Sequence, residues 1–220
     1  MTHSIRAVLF DLDGTLVDTA PDLGAAANVV RERTGLAPLP LADYRPYASA
    51  GARGLIGKAL GIGPEHSDFA AHRELFLTHY RAHIAERSRL FDGVDALLRR
   101  IATNGQRWGV VTNKPSWLTR PLLDELGLSA ASACTVSADD VPQAKPAPDS
   151  LLRACTLLAL RPQDCVYVGD DARDIVAGRA AGMRTIAAGW GYLGEGAPIT
   201  EWGADAIALT TAELTEQLFA

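Results

Sequence analysis

Short apolar runs alternate with segments of helical periodicity along most of the chain. A nearly continuous apolar run is typical of a strand that is buried on both faces of a parallel sheet. Such runs predict strands at residues 5–10, 108–112, 135–138, 165–169 and 185–188, and an edge strand at residues 204–209. Strands that alternate with helices predict right-handed crossovers. The pattern therefore indicates an α/β fold built on a parallel sheet that is flanked by helices.

The stretch between residues 16 and 86 breaks this rhythm, because it has helical patterning and no clear strand. Asp18 is placed to cap a helix that carries Pro21 in its first turn and ends at Gly35. A second apolar stripe follows, formed by Phe69, Phe76, Tyr80 and Ile84. We therefore predict a discontinuous core of residues 1–16 and 86–220, interrupted by a helical domain of residues 17–85.

The composition and net charge of the chain limit the kinds of partner that it is expected to bind. The chain has 220 residues, 48% of them hydrophobic, and a net charge of −5, which argues against nucleic acid as a ligand. No apolar run approaches the length of a membrane span, and the first residues lack the layout of a signal peptide. The three cysteines form no C-x-x-C pair. We expect a cytoplasmic monomer or homodimer with no nucleic-acid or membrane partner.

Polar side chains follow four of the predicted strands. In open parallel sheets, ligands bind beyond the carboxyl ends of the strands, so these side chains are expected to share one crevice. In chain order they are Asp11, Asp13 and Thr15, then Thr112, Asn113 and Lys114, then Lys145, then Asp170, Asp171 and Asp174.

Clustered carboxylates need a cation, and Mg²⁺ prefers oxygen ligands. We expect Asp11, Asp170 and the backbone carbonyl of Asp13 to bind Mg²⁺. A metal-bound Asp11 carboxylate is suited to attack phosphorus, giving an aspartyl-phosphate that water then hydrolyses. Asp13 would protonate the leaving oxygen and later activate that water. Lys145 and Thr112 would stabilise the transferring phosphoryl group.

Further residues are expected to support this chemistry. Gly14 permits the turn after Asp13, and we expect it to bind substrate together with Thr15 and Asn113. Asp171 and Asp174 would orient the metal's water ligands or Lys145, or would act simply as acids in the first turn of a helix. In the helical domain, Arg53 lies between glycines, in a segment predicted to be a loop. Its guanidinium is suited to a carboxylate or phosphate of the substrate, or it is an ordinary surface arginine.

A glycine pattern at residues 189–194 satisfies G-x-G-x-x-G after a predicted strand. Dinucleotide binding also needs a helix directly after the glycines, and Pro198 argues against one here. We therefore expect no dinucleotide site.

The four polar segments together resemble the signature motifs of the haloacid dehalogenase superfamily. Residues 11–16 resemble its first motif, Thr112-Asn113 its second, Lys145-Pro146 its third and residues 169–174 its fourth. The resemblance implies a Rossmann-like core with a helical cap inserted after the first motif, and Mg²⁺-dependent hydrolysis of a phosphate monoester. A dehalogenase is not expected, because dehalogenating members lack an acid at the position of Asp13.

Two substrate groups remain open within the superfamily. Residues 16–23 and 111–114 are similar to phosphoglycolate phosphatases, which makes phosphoglycolate the leading expectation. Residues 88–91, 108–115 and 167–171 are also similar to phosphatases that act on N-acetylmuramic acid 6-phosphate in cell-wall recycling. A sugar phosphomutase shares the same core residues and is a further alternative. A non-catalytic binding protein is not expected, because Asp11, Asp13, Lys145 and Asp170 are all present.

Overall fold

The computed structural model describes residues 5–219, so residues 1–4 and 220 of the predicted core lie outside the described part. Six strands form a parallel sheet, namely β1 (Ala7–Phe10), β4 (Arg107–Val111), β5 (Thr135–Val136), β6 (Cys165–Gly169), β7 (Arg184–Ala188) and β8 (Ala206–Ala208). Their order across the sheet is β5-β4-β1-β6-β7-β8. All six strands were expected from the sequence, and the predicted α/β fold is confirmed.

Strand β1 lies at the centre of the sheet and separates two apolar cores. Val8 and Phe10 belong to one core, and Ala7 and Leu9 belong to the other. All four side chains are at most 1% exposed. Since successive side chains of a strand point to opposite faces, a strand covered on both faces needs an unbroken apolar run. This explains the sequence pattern at residues 7–10.

The helices divide into two groups. The helical segment that interrupts the core contains α1 (Ala20–Arg33), α2 (Leu41–Tyr44), α3 (Gly51–Leu60) and α4 (Phe69–Ala82). Helices that pack on the sheet are α5 (Val94–Thr103), α6 (Ser116–Glu125), α7 (Asp149–Leu158), α8 (Ala172–Ala181) and α9 (Thr211–Phe219). None of the helices in the described part of the chain has the length and apolar character needed to cross a bilayer.

The helical segment packs through the stripe that the sequence predicted. Phe69, Phe76, Tyr80 and Ile84 are all buried. They share one apolar core with Leu23 and other residues of α1, and with part of the sheet core. Because this apolar core is continuous, burial of the stripe holds the helical segment against the sheet.

A short antiparallel ribbon joins the two ends of the helical segment, and the sequence did not predict it. Strand β2 (Val17–Asp18) pairs with β3 (Arg89–Leu90). Close by, the buried carboxylate of Asp22 accepts hydrogen bonds from the backbone N–H groups of Arg87 and Ser88 and from the Ser88 hydroxyl, at 2.7–3.1 Å. Strands of two residues carry no periodicity, so no sequence pattern marks them.

Two local predictions in this segment were wrong. Asp18 does not cap α1, because Thr19 holds the cap position and the Asp18 carboxylate instead accepts two hydrogen bonds from Arg45, at 2.9 and 2.8 Å. The stretch around Arg53 is not a loop, because α3 begins at Gly51. Burial of Leu55, Ile56 and Ala59 stabilises this helix despite its glycines.

Candidate active site

The order of the strands brings the predicted polar residues to one edge of the sheet. Asp11 follows β1 directly, Thr112 follows β4, and Asp170 follows β6. Since β4 and β6 are the two neighbours of β1, these three strand ends are adjacent. Lys145 arrives on the loop between β5 and α7. A cavity of about 380 Å³ opens beyond this edge and is bordered by Asp11, Asp13, Thr112 and Lys145.

Lys145 is the cation at the centre of this arrangement. Its Nζ donates to Asp11 Oδ1 at 2.9 Å, Asp174 Oδ1 at 2.7 Å and the Tyr167 hydroxyl at 2.7 Å, and it also contacts the Val111 carbonyl at 3.0 Å. The side chain is 2% exposed. Burial disfavours the ammonium, but the two carboxylates outweigh burial and raise the pKa of Lys145 above its ordinary value. Lys145 is therefore charged at neutral pH.

Three buried carboxylates form a candidate metal site. Asp11, Asp170 and Asp174 place oxygen atoms within 4.8 Å of one another. Burial, opposed by Lys145 and reinforced by Asp174, raises the pKa of Asp11 to about 6. Burial, together with Asp11 and Asp174, raises the pKa of Asp170 well above its ordinary value. A divalent cation would relieve both effects, and an all-oxygen donor set suits a hard cation. These residues therefore fit a divalent metal ion.

Asp170 is oriented from two directions. Its Oδ1 accepts from the Thr15 hydroxyl at 2.8 Å, and its Oδ2 accepts from the Tyr192 backbone N–H at 2.8 Å. Gly14 has a φ of +89°, and a Cβ there would lie 2.2 Å from Asp170 Oδ2. Glycine is thus required for this close approach. Gly14 and Thr15 were expected to bind substrate, and the structure places both against the Asp170 carboxylate.

Two acidic side chains at the start of α8 differ in their contacts with the candidate metal site. Asp174 Oδ2 accepts from the Asp171 backbone N–H, and Asp171 caps the helix through its own carboxylate. Asp171 is also paired with Arg173 at 2.8 Å. Asp174 therefore contacts Lys145 and closes the carboxylate cluster, whereas the contacts of Asp171 are those of a helix cap.

Asn113 and Thr112 organise the loops around Lys145. The Asn113 amide donates to the Lys145 carbonyl at 2.9 Å and accepts from the Lys145 backbone N–H at 3.0 Å. Thr112 Oγ1 accepts from the Lys114 backbone N–H at 3.1 Å. Both residues border the cavity. The Asn113 side chain, expected to bind substrate, is thus engaged in holding the loop that presents Lys145.

Asp13 also borders the cavity and is held by partners of its own. Its carboxylate accepts from the Thr19 hydroxyl at 2.6 Å and from Lys114 Nζ at 2.9 and 3.2 Å. Lys114 Nζ also donates to the Tyr80 hydroxyl at 2.9 Å. The sequence placed Lys114 in the crevice and Tyr80 in an apolar stripe, but it indicated no chemical role for either. The available signal was the position of Lys114 directly after Thr112 and Asn113, at a strand end.

Residues of the helical segment also line the cavity. Arg53 at the start of α3 and Arg73 on α4 both border it and are exposed. Apolar and aromatic side chains of the same segment, including Phe76 and Tyr80, also border the cavity. Arg53 was expected from the sequence, whereas Arg73 was missed, because only the folded α4 turns it toward the strand ends.

The loop with the G-x-G-x-x-G pattern connects the metal site to the helical segment. A Cβ on Gly191 would lie 2.2 Å from the Asp170 Cβ, so only glycine allows this approach. The Tyr192 hydroxyl that follows accepts from the backbone N–H groups of Thr19 and Ala20 at 2.8 and 2.9 Å, and contacts Asp18 at 3.0 Å. As expected, the loop does not lead into a helix that would bind a pyrophosphate.

Tyr192→Phe is expected to lower the free energy of unfolding by about 1–3 kcal/mol, because two buried N–H groups at the start of α1 lose their acceptor. Urea denaturation followed by circular dichroism measures the change. Tyr47→Phe is the matched control, since its hydroxyl bonds to Glu195 at the surface. Equal losses in the two variants would contradict the assigned role of the Tyr192 hydroxyl.

The fold, the residues at the strand ends and the carboxylate cluster all indicate one group of enzymes. Comparison with known proteins identifies that group. The family model described as haloacid dehalogenase-like hydrolase matches residues 5–182, and the chain belongs to this family.

Individual relatives cover nearly the whole chain. The phosphoglycolate phosphatase of Xanthomonas campestris pv. campestris is 43% identical over 215 residues, which are 96% of this chain and 95% of the relative. The N-acetylmuramic acid 6-phosphate phosphatase of Pseudomonas aeruginosa is 40% identical over 214 residues, with coverage of 97% and 95%. A crystal structure described as a predicted phosphoglycolate phosphatase from Haemophilus somnus matches with a TM-score of 0.86 and 26% identity over 99% of both chains.

These matches confirm the superfamily that the sequence motifs indicated. They also confirm the expected class of enzyme, a phosphoric monoester hydrolase. Family membership and the carboxylate cluster together support a divalent metal ion as cofactor.

Proposed function

We propose that the chain is a Mg²⁺-dependent phosphatase that transfers the phosphoryl group of a small phosphorylated acid first to Asp11 and then to water. Phosphoglycolate is the first candidate substrate. The observation that carries the proposal is the position of Asp11, which is buried, held by Lys145, next to two further carboxylates and at the edge of a cavity.

In the proposed first step, an Asp11 carboxylate oxygen attacks phosphorus and forms a new P–O bond. The ester P–O bond breaks, and the leaving oxygen takes a proton from Asp13. In the second step, water attacks phosphorus and gives its proton to Asp13, the acyl-phosphate bond breaks, and Asp11 and inorganic phosphate are released. Lys145 lies against Asp11 throughout and stabilises charge on the transferring oxygens.

Mg²⁺ would be held by Asp11 and Asp170, with the Asp13 carbonyl and Asp174 as further oxygen donors. When bound, it supplies Lewis-acid stabilisation of the phosphoryl oxygens and offsets the repulsion between carboxylates. The raised pKa values of Asp11 and Asp170 support this assignment, because both carboxylates are poorly compensated by the protein alone.

Helices α1–α4 would serve as the cap that selects the substrate. Arg53 and Arg73 of this segment border the same cavity as the residues at the strand ends. A guanidinium forms bidentate hydrogen bonds with a carboxylate, which phosphoglycolate carries beyond its phosphate. The relatives named as phosphoglycolate phosphatases support this choice.

N-acetylmuramic acid 6-phosphate is the second candidate, and the size of the cavity favours it. A volume of about 380 Å³ is far larger than a two-carbon acid needs and lies within the range of pockets for larger ligands. This sugar phosphate also carries a carboxylate. A relative of 40% identity is named for its hydrolysis.

The test is phosphate release from a panel of phosphorylated metabolites, with and without added Mg²⁺. The panel contains phosphoglycolate, N-acetylmuramic acid 6-phosphate and glucose 1-phosphate. Mg²⁺-dependent release with the highest kcat/KM on one of the first two substrates is expected. Conversion of glucose 1-phosphate to glucose 6-phosphate without phosphate release would instead identify a phosphomutase. Absence of turnover on the whole panel would contradict the proposal.

Arg53→Ala is expected to raise KM roughly tenfold and to change kcat by less than about threefold, because a contact made equally in the bound substrate and the transition state is lost. Steady-state kinetics measures the two changes separately, on whichever of phosphoglycolate and N-acetylmuramic acid 6-phosphate is the better substrate. Arg33→Ala is the control, since Arg33 is an exposed arginine of α1 that does not border the cavity. An unchanged KM would remove Arg53 from the site.

A further inference from the structure

Lys114 is a second buried ammonium group beside the reacting residues. The chain has three lysines, and Lys114 and Lys145 are the two that border the cavity. Lys145 pairs with Asp11 and Asp174, whereas Lys114 pairs with Asp13. The side chain of Lys114 is 6% exposed. The two lysines thus pair with different carboxylates of the site, and the mechanism described above uses only Lys145.

The contacts of Lys114 fix the position of the Asp13 carboxylate. Nζ reaches both oxygens, at 2.9 and 3.2 Å, and the Thr19 hydroxyl binds Oδ1 at 2.6 Å. Burial alone would lower the pKa of Lys114, but Asp13 and Tyr80 outweigh it and raise that pKa above its ordinary value. Lys114 therefore stays charged, and charge-assisted hydrogen bonds to a carboxylate that is only 14% exposed are strong and directional.

Tyr80 connects this pair to the helical segment. It lies on α4, is 1% exposed, and accepts a hydrogen bond from Lys114 Nζ at 2.9 Å. Lys114 Nζ also lies 4.6 Å from the centroid of the Tyr80 ring, within the range of a cation–π interaction. Burial raises the pKa of Tyr80 to about 12, so its hydroxyl is neutral at physiological pH. The third strong contact of Lys114 thus comes from the cap and not from the sheet.

We propose that Lys114 and Tyr80 are positioning residues that hold Asp13 where it protonates the leaving oxygen. Because Tyr80 belongs to α4, Asp13 is fully positioned only when the helical segment lies over the sheet. This inference rests on the proposed function, since it takes Asp13 as the general acid.

The test compares two kinds of leaving group. Phosphoglycolate and N-acetylmuramic acid 6-phosphate release an alkoxide, which needs a proton as it leaves. Release of p-nitrophenolate from p-nitrophenyl phosphate needs none. The measured quantity is kcat/KM with Mg²⁺, which covers the steps up to phosphoryl transfer and is therefore insensitive to the later role of Asp13 as a base.

Lys114→Met is expected to lower kcat/KM for the better alkyl phosphate substrate roughly tenfold or more, which lies within the range of general acid catalysis. The kcat/KM for p-nitrophenyl phosphate should change by less than about threefold. Tyr80→Phe, which keeps the ring, should also affect the alkyl phosphate selectively, but it should lower that kcat/KM only roughly threefold to tenfold. Asp13→Asn should show the pattern most strongly. Tyr80→Phe also keeps the test valid if Lys114→Met does not fold.

Two matched controls separate positioning from packing. Lys58→Met makes the same chemical change on α3, where the ammonium lies over the Tyr47 ring and away from the cavity. Tyr44→Phe removes a buried hydroxyl that bonds to Asn28 within the cap. Neither control should alter the ratio of the two kcat/KM values, even if it lowers the melting temperature.

Equal losses on both substrates in Lys114→Met and Tyr80→Phe, or no loss, would overturn the inference. If Asp13→Asn remains selective for the alkyl phosphate in that case, the proposed function stands and only the inference fails. If wild-type enzyme releases no phosphate from any of these substrates, the proposed function itself fails. The two failures are thus distinguishable.

Discussion

Asp11→Asn is expected to lower kcat by roughly 10⁴-fold or more on every phosphate monoester that the wild-type enzyme hydrolyses, because the amide is a far weaker nucleophile than the carboxylate. The fold should be unaffected. Asparagine has the same shape, and its side-chain oxygen keeps an acceptor near Lys145 Nζ, now 2.9 Å from Asp11 Oδ1. Loss of one charge also relieves repulsion from Asp170 and Asp174. The melting temperature should therefore be equal to or above that of the wild type.

Two measurements check this result. Phosphate release gives kcat, and acid quenching during turnover of a ³²P-labelled substrate shows whether label stays on the protein. Wild-type enzyme should retain acid-stable label and Asp11→Asn should retain none. Asp92→Asn is the control, because Asp92 is an exposed aspartate outside the cavity. Wild-type-like turnover or labelling in Asp11→Asn would exclude Asp11 as the nucleophile.

Lys145→Met is expected to lower the free energy of unfolding by about 3–5 kcal/mol at neutral pH, because removal of one partner leaves buried charges uncompensated. Asp11 and Asp174 both depend on this ammonium, and Asp174 is 1% exposed. Methionine retains much of the volume of lysine, so the loss is electrostatic rather than a cavity. Added Mg²⁺ should restore part of the stability, because ligand binding to the folded state stabilises it.

Urea denaturation with and without Mg²⁺ measures both effects. Lys58→Met provides the matched control, since the same change at a partly exposed position should cost less than about 1 kcal/mol. A small loss in Lys145→Met, similar to that control, would show that the carboxylate cluster does not need this ammonium. Equal stabilisation by Mg²⁺ of wild type and an Asp170→Asn variant would place the cation elsewhere.

The parts of the site that the sequence predicted are those that a strand end determines. Asp11, Thr112 and Asp170 each follow a buried apolar run, and parallel strands bring such positions together. Lys145 was placed there as well, but it lies several residues beyond the end of β5, so its likeness to a motif added to the evidence of the strand end. The fold class follows from the same alternation of strand and helix.

Contacts between distant residues were not predictable in this way. Lys114 is 101 residues from Asp13 and 34 from Tyr80, so no local pattern reveals that it binds both. The conformation near Arg53 was missed for a related reason. Its glycines favour a loop, but tertiary burial of the following residues of α3 overrides that local propensity.

The ribbon of β2 and β3 has a consequence for how such enzymes diversify. It brings the entry and exit of the helical segment into one pair of hydrogen-bonded strands, so the segment joins the sheet at a single hinge-like base. The sheet strands before and after it, β1 and β4, are neighbours whatever lies between them. A different module with equally close ends can thus be grafted at this base, and new substrate selectivity acquired, while the residues that perform the chemistry keep their places.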